Sequence, residues 1–99
     1  MKANVAIQIL PAAPNDQEVV RIVDEVIDYI KSTGLYYYVG PCETAIEGDD
    51  LHQLMDIVEH CMEVAHKAGS PKVSAYVKLG YNPEGRVLGI DEKTAKHHQ

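Results

Sequence analysis

The chain has 99 residues, of which 45% are hydrophobic, and this composition predicts one globular domain over residues 1–99 and excludes a disordered polypeptide. Fifteen acidic against nine basic residues give a formal charge of −6, which disfavours nucleic-acid binding because that function needs a basic surface against the phosphates. No apolar run approaches the ~20 residues that cross a membrane, and the N-terminus lacks a secretion-signal pattern, so we expect a cytoplasmic protein without membrane association.

One strand and one helix open the sequence. Alternating apolar and polar residues predict a strand from Asn4 to Leu10, and Pro11 is expected to end it because proline donates no ladder hydrogen bond. An amphipathic helix follows, capped by Asn15 or Asp16 and running to about Thr33, with apolar residues at steps of three and four.

A hairpin, a second helix and a long strand complete the pattern. Leu35–Val39 and Glu43–Glu47 are rich in aromatic and β-branched residues and are joined by a Gly-Pro turn. Helical spacing returns from Leu51 to about Ala68, and strict alternation over Lys72–Tyr81 predicts a fourth strand. A brief extended piece and a last helical turn from Asp91 are expected to follow.

The element order β-α-β-β-α-β predicts an α+β, ferredoxin-like sandwich. Right-handed crossovers place the two helices on one face of a four-stranded antiparallel sheet. The other face must then meet water or a second subunit. We favour a homo-oligomer, with Tyr76 as an anchor on the sheet face, or with residues 86–90 added to the edge of a neighbour's sheet.

Motifs of catalysis are missing from the sequence. It contains no GxSxG elbow, no GxGxxG and no phosphate-binding GxxxxGK[ST]. His52, His60 and His66 share one predicted helix but lack the spacing of HExxH. The cysteines, Cys42 and Cys61, are expected to be reduced thiols. We therefore predict a protein that is not an enzyme and needs neither a metal nor a cofactor.

The predicted hairpin concentrates polar and aromatic side chains. Glu43 and Glu47 are expected on one face of its second strand and Thr44 on the other. A carboxylate here would suit a cationic or amine-bearing ligand, and the three consecutive tyrosines at 36–38 could stack on its rings. The competing interpretation is that Glu47 lies in solvent at a strand end and that the tyrosines simply pack.

Five segments resemble those of the UPF0045 family of thiamine-binding proteins, and the similarity runs from about Asn4 to Lys96. They are NVAIQILP, VDEVIDYIKSTGL, YVGPCETAIEG, VKLGYNPEG and GIDEK. The resemblance implies a ferredoxin-like tetramer that pairs through its sheets, binds thiamine or its hydroxymethylpyrimidine part, and serves in thiamine carriage, salvage or transport without catalysis. Carried onto this chain, it makes Thr44 and Glu47 the first ligand candidates. Tyr38 and Gln8 are added from their positions. Cys42 departs from the residue expected between Pro41 and Glu43.

Two functions therefore remain open. The first is a small-molecule binding protein whose ligand is thiamine or its pyrimidine. The alternative is a non-catalytic oligomeric interaction or regulatory module that binds a protein partner through the sheet face or edge.

Overall fold

The structure is a computed structural model and describes residues 1–97. It confirms the predicted ferredoxin-like βαββαβ order. The elements are β1 Ala3–Pro11, α1 Asp16–Ser32, β2 Tyr37–Val39, β3 Thr44–Gly48, α2 Leu51–Lys67, β4 Val73–Tyr81 and α3 Ile90–Thr94, which a 3₁₀ turn over Ala95–His97 follows.

The four strands form one sheet in the order β2-β3-β1-β4, and every neighbouring pair is antiparallel. Alternate residues of β1 and β3 are buried on one face, beneath both helices, as period-two patterning requires. Helix α1 contributes Ile22, Val26 and Ile30 to this core, and α2 contributes Leu54, Ile57, Cys61 and Ala65. The prediction of two helices on one sheet face is therefore confirmed, and the opposite face is called the open face below.

Capping residues set the helix ends close to where the sequence predicted them. The Asn15 side chain accepts a hydrogen bond of 2.9 Å from the Glu18 N–H at the start of α1. Gly34 follows α1 with φ +78°, a left-handed conformation that glycine adopts without a Cβ clash. Asp50 accepts from the His52 N–H at 2.9 Å and begins α2.

All four strands differ from their predicted ranges, by two residues at most at either end, and two of these differences are informative. Pro11 belongs to β1 and lies opposite Val73 of β4. Its nitrogen points to the β3 side, where the pairing with β3 has already ended at Ile7, so the missing N–H breaks no ladder bond. Strand β2 is shorter than predicted and pairs with β3 at three positions only. The tight turn ends this pairing, with the Gly40 N–H bonded to the Glu43 carbonyl at 2.9 Å.

Residues 86–94, called the C-terminal strap, follow β4 and contact the open face of their own sheet. The Val87 N–H donates to the Met1 carbonyl at 3.2 Å, and the Tyr36 hydroxyl donates to Asp91 at 2.6 Å. Ile90 is 7% exposed. Within the described residues, no helix is long and apolar enough to cross a membrane.

Candidate functional site

Two clefts meet at the turn formed by residues 40–43. One lies at the edge of the sheet between β1 and α1, and is called the edge cleft. The other lies on the open face beneath the strap, and is called the open-face cleft. Because the turn lines both, its position sets the shape of each.

Unequal strand lengths create the edge cleft. Strand β1 has nine residues, but β3 pairs only with its first part, and the last pair joins Ile7 to Thr44. Beyond this pair β1 has a neighbour on the β4 side alone. Helix α1 extends over the gap and lines it with a stripe of half-buried aliphatic residues that the core does not use, namely Val19, Val23 and Ile27. The volume of the cleft is about 410 Å³.

Two polar groups line the edge cleft. Thr44 is only 7% exposed and lines the cleft, and residues 1–97 contain no buried side-chain polar atom that lacks a partner. The second group is the peptide of Ile9. The Lys2 carbonyl bonds to the Asn82 N–H of the β4 side. Backbone groups in an antiparallel sheet point to alternate sides at successive residues, so the N–H and C=O of Ile9 point toward β3. The position that would pair with Ile9 is Cys42, which lies in the turn outside the ladder.

Carboxylates stand at the edge of this apolar space. Asp24 on α1 lines the cleft, is exposed, and forms no ion pair within the described part of the chain. Glu43 also lines it, but its carboxylate is 2.9 Å from the Lys78 ammonium on β4. Asp24 is therefore the carboxylate that remains available to a cation entering from solvent.

The open-face cleft is larger, with a volume of about 810 Å³. Ala6 and Ala45, which pair across β1 and β3, contribute small side chains to its floor. Tyr38 lines it, as do Lys78 and the Val87, Leu88 and Ile90 residues of the strap. A Cβ at Gly80 would come within 2.5 Å of the Asn4 amide oxygen, so glycine at this position leaves room for the Asn4 side chain.

Hydrogen bonds to carboxylates hold the strap. Glu47 Oε2 accepts from the Ile90 N–H at 2.9 Å, and Glu92 accepts from the Gly89 N–H at 2.8 Å. The Gly89 bond, helped by the neighbouring Arg86 guanidinium, lowers the pKa of Glu92. The hydrogen bond that Tyr36 donates to Asp91 raises the pKa of the Tyr36 phenol, since it favours the protonated form.

The structure separates the four predicted ligand residues. Thr44 and Gln8 line the edge cleft, and Tyr38 lines the open-face cleft. Glu47 lines neither and lies beneath the strap. The Thr44 side chain is on the helix face, opposite the face that carries Gln8, Tyr38 and Glu47.

Sequence reasoning did not identify three features of the edge cleft: the Ile9 peptide, Asp24, and the stripe on α1 formed by Val19, Val23 and Ile27. One signal was present, because α1 carries more aliphatic residues than the three that fill the core. The peptide had no signal at all, since any residue other than proline at position 9 would present the same backbone groups. As for metals, residues 1–97 hold no group of three or more candidate ligands.

The fold and the clefts define a small ferredoxin-like protein with two ligand-sized spaces around one hairpin turn. A family model for thiamine-binding proteins matches residues 5–98. The chain belongs to the thiamine-binding protein family.

Individual relatives agree with this assignment. A UPF0045 protein of Clostridium perfringens is 39% identical over 94 residues, which cover 95% of each chain. A domain of unknown function from Bacillus cereus, of the DUF77 family, has a TM-score of 0.85 at 31% identity, covering 98% of this chain and 90% of that one. A Thermotoga maritima structure, described as a candidate thiamine biosynthesis/salvage protein, has a TM-score of 0.83 at 28% identity, covering 98% and 99%.

Proposed function

We propose that this protein binds thiamine, or its hydroxymethylpyrimidine part, as a cytoplasmic carrier in thiamine transport or salvage. Family membership supports the ligand class. The observation that carries the proposal is the convergence of two clefts, of about 410 and 810 Å³, on one hairpin turn. Such volumes lie in or near the roughly 300–1,000 Å³ range of small-molecule sites.

The electrostatics of the edge cleft favour a cation. The chain carries a formal charge of −6, and Asp24 and Glu43 both line the edge cleft. Glu43 is paired with Lys78, so Asp24 is the carboxylate available to a ligand. Thiamine contains a positively charged thiazolium ring, and a carboxylate at the cleft raises its local concentration and opposes its escape. Aliphatic walls around these groups suit the flat, weakly polar faces of both thiamine rings.

A carrier rather than an enzyme is proposed for this fold. The family is named for binding, and the cleft groups suit recognition better than bond cleavage. Cys61 lies in the core, and burial raises the pKa of its thiol to about 12, which makes it a poor nucleophile at neutral pH. Thiamine is then the ligand and not a cofactor of a reaction on this chain.

We further propose that the protein forms a homotetramer through its sheets. Leu10 and Tyr76 project from the open face beyond the strap, and Tyr76 is 69% exposed. A large aromatic side chain on a sheet face is a typical interface anchor. Light scattering is expected to give a smaller particle for Tyr76→Ser than for Tyr81→Ser, a similarly exposed tyrosine on the other face. An unchanged tetramer in Tyr76→Ser would remove this residue from the interface, and a monomeric parent protein would refute the assembly.

Calorimetric titration tests the binding proposal directly. Thiamine and hydroxymethylpyrimidine are each titrated into the protein, with choline as a small cation that lacks the pyrimidine. We expect saturable binding for the first two and none for choline, accompanied by a thermal stabilisation that grows with ligand concentration as RT ln(1 + [L]/Kd). The absence of heat and of stabilisation at millimolar thiamine and pyrimidine would refute the function.

A further inference from the structure

The turn formed by residues 40–43 is connected to the open face by an ion pair. Lys78 lies on β4, and its ammonium reaches across β1 to the Glu43 carboxylate at 2.9 Å. On β1 the residue paired with Lys78 is Ala6, whose small side chain leaves room for this crossing. The bridge therefore joins the turn that lines both clefts to the face on which assembly is proposed.

This bridge lies beside the proposed interface anchor. Tyr76 and Lys78 are two positions apart on β4, so their side chains share the open face. Tyr76 pairs with Gln8 of β1, and continuation of the β1–β3 register puts Glu43 next to Gln8 on the other side. A second subunit that contacts Tyr76 therefore comes within reach of the Glu43–Lys78 bridge.

The contact that ties the turn to β4 is weak. The side chain of Glu43 is 38% exposed and that of Lys78 is 71% exposed, and ion pairs in such positions contribute little stability. The tip of the turn, Pro41 and Cys42, is also exposed and lies outside the ladder. Holding the turn in one conformation costs conformational entropy, which a weak ion pair offsets only in part.

A ligand and a second subunit would restrict the same four residues. A ligand that fills either cleft packs against the turn, and a subunit on the open face packs beside the bridge that holds it. Once one of these events has fixed the turn, the other no longer carries that entropy cost, so each favours the other. Because such a coupling is a free energy shared by two binding events, it acts equally in both directions.

We propose that thiamine binding and subunit assembly strengthen each other through residues 40–43 and the Glu43–Lys78 bridge. The inference rests on the proposed binding and assembly, and it adds how the binding is regulated. Assembled protein holds the ligand tightly and dissociated subunits hold it weakly. In a carrier, dissociation of the assembly then becomes a means of release.

A dilution series provides the first test. Analytical ultracentrifugation gives the protein concentration at which half of the assembly has dissociated, with and without saturating thiamine. We expect thiamine to lower this concentration about 10-fold, as for a typical coupling between sites, and choline to leave it unchanged. Equilibrium dialysis on the same series should give a thiamine Kd about 5-fold lower for the assembled than for the dissociated protein. Identical dissociation curves, in a protein that binds thiamine, would overturn the inference.

Matched lysine variants provide the second test. Lys78→Met removes the bridge but keeps an aliphatic side chain on the open face, and Lys93→Met removes the other lysine that lines the open-face cleft. We expect the thiamine-induced shift in dissociation to disappear in Lys78→Met and to persist in Lys93→Met. Glu43→Gln, which removes the other charge of the bridge, should behave like Lys78→Met. Thermal unfolding verifies that each variant is folded, and an undiminished shift in Lys78→Met would exclude the bridge.

Amide hydrogen exchange reads the turn directly. The Gly40 N–H donates to the Glu43 carbonyl at 2.9 Å within the turn. Its exchange should slow when thiamine is added to dissociated protein, and also when the protein assembles without ligand. The Asn82 N–H, which donates to the Lys2 carbonyl at 2.8 Å, is the control and should not change. Gly40 exchange that responds to neither event would show that the turn is not the shared element.

The outcomes separate the inference from the proposals on which it rests. If the protein binds thiamine and assembles, but the two events are independent, the inference is wrong while the function and the assembly stand. If neither thiamine nor hydroxymethylpyrimidine binds the parent protein, the function and the inference are both wrong. If the parent protein is monomeric at every concentration, the assembly and the inference are wrong and the binding function stands.

Discussion

Glu47 and Ile90 lie 43 positions apart in the chain, yet the Glu47 carboxylate accepts a 2.9 Å hydrogen bond from the Ile90 N–H. This contact attaches the C-terminal strap to β3 on the open face. An ionised acceptor makes such a bond stronger than a neutral one. Ile90 is itself 7% exposed, so this hydrogen bond and the buried Ile90 side chain both hold the strap against the sheet.

Replacing Glu47 should therefore affect stability more than binding. We expect Glu47→Ala to lower the free energy of unfolding by about 1–3 kcal/mol, because the part-buried Ile90 N–H loses its acceptor. Urea denaturation measures the loss, and faster hydrogen exchange at Ile90 locates it. Glu43→Ala, which removes only the exposed partner of Lys78, is the control and should cost less than about 1 kcal/mol. Loss of thiamine binding in Glu47→Ala, with Ile90 exchange unchanged, would instead make Glu47 a ligand residue.

Asp24 should distinguish the two rings of thiamine. Asp24→Asn removes a negative charge from the edge cleft and keeps the side-chain shape. We expect thiamine, which is a cation, to bind about 2- to 5-fold more weakly, as for a solvent-exposed charge pair, and neutral hydroxymethylpyrimidine to bind as before. Titrations in low and high salt provide a second measure, since screening should reduce the difference. An equal loss for both ligands would contradict an electrostatic role.

The two thiols should react at very different rates. Burial raises the pKa of Cys61 to about 12, so almost none of it is thiolate at neutral pH, and Cys42 is exposed in the turn. Mass spectrometry after brief treatment with iodoacetamide should show one label, on Cys42, in the native protein and two labels after denaturation. Rapid labelling of Cys61 without denaturant would show that the core opens readily. Protection of Cys42 by bound thiamine would place the ligand beside the turn.

Acid should weaken the strap through Glu92. Its pKa is lowered in the folded protein, first by the Gly89 hydrogen bond and then by Arg86. The stabilisation is therefore complete above the pKa of the unfolded chain, about 4.3, and disappears as pH falls through the lower folded value. We expect the Glu92→Gln protein to lose less stability than the parent between about pH 5 and pH 3, as measured by urea denaturation. Parallel pH profiles would contradict this assignment.

Local patterns were enough to predict the elements of the fold. The period-two pattern of β1 and the period-3.6 pattern of α1 place their apolar residues on one side each, so the core follows once the two are packed together. Asn15 and Gly34 mark the ends of α1 by their own conformational chemistry. The shortness of β2 was missed, because where a strand stops pairing depends on its partner.

The sequence by itself determined the order of elements, the ferredoxin-like sheet with helices on one face, and the family. Each of these depends on residues near one another in the chain. Only the tertiary structure revealed the candidate site, because the edge cleft exists where β1 continues past β3 beneath α1. It also decided that Thr44 and Glu47 lie on opposite faces and that Glu47 binds the Ile90 peptide. These relationships join backbone groups and distant segments, and backbone groups leave no mark in the sequence.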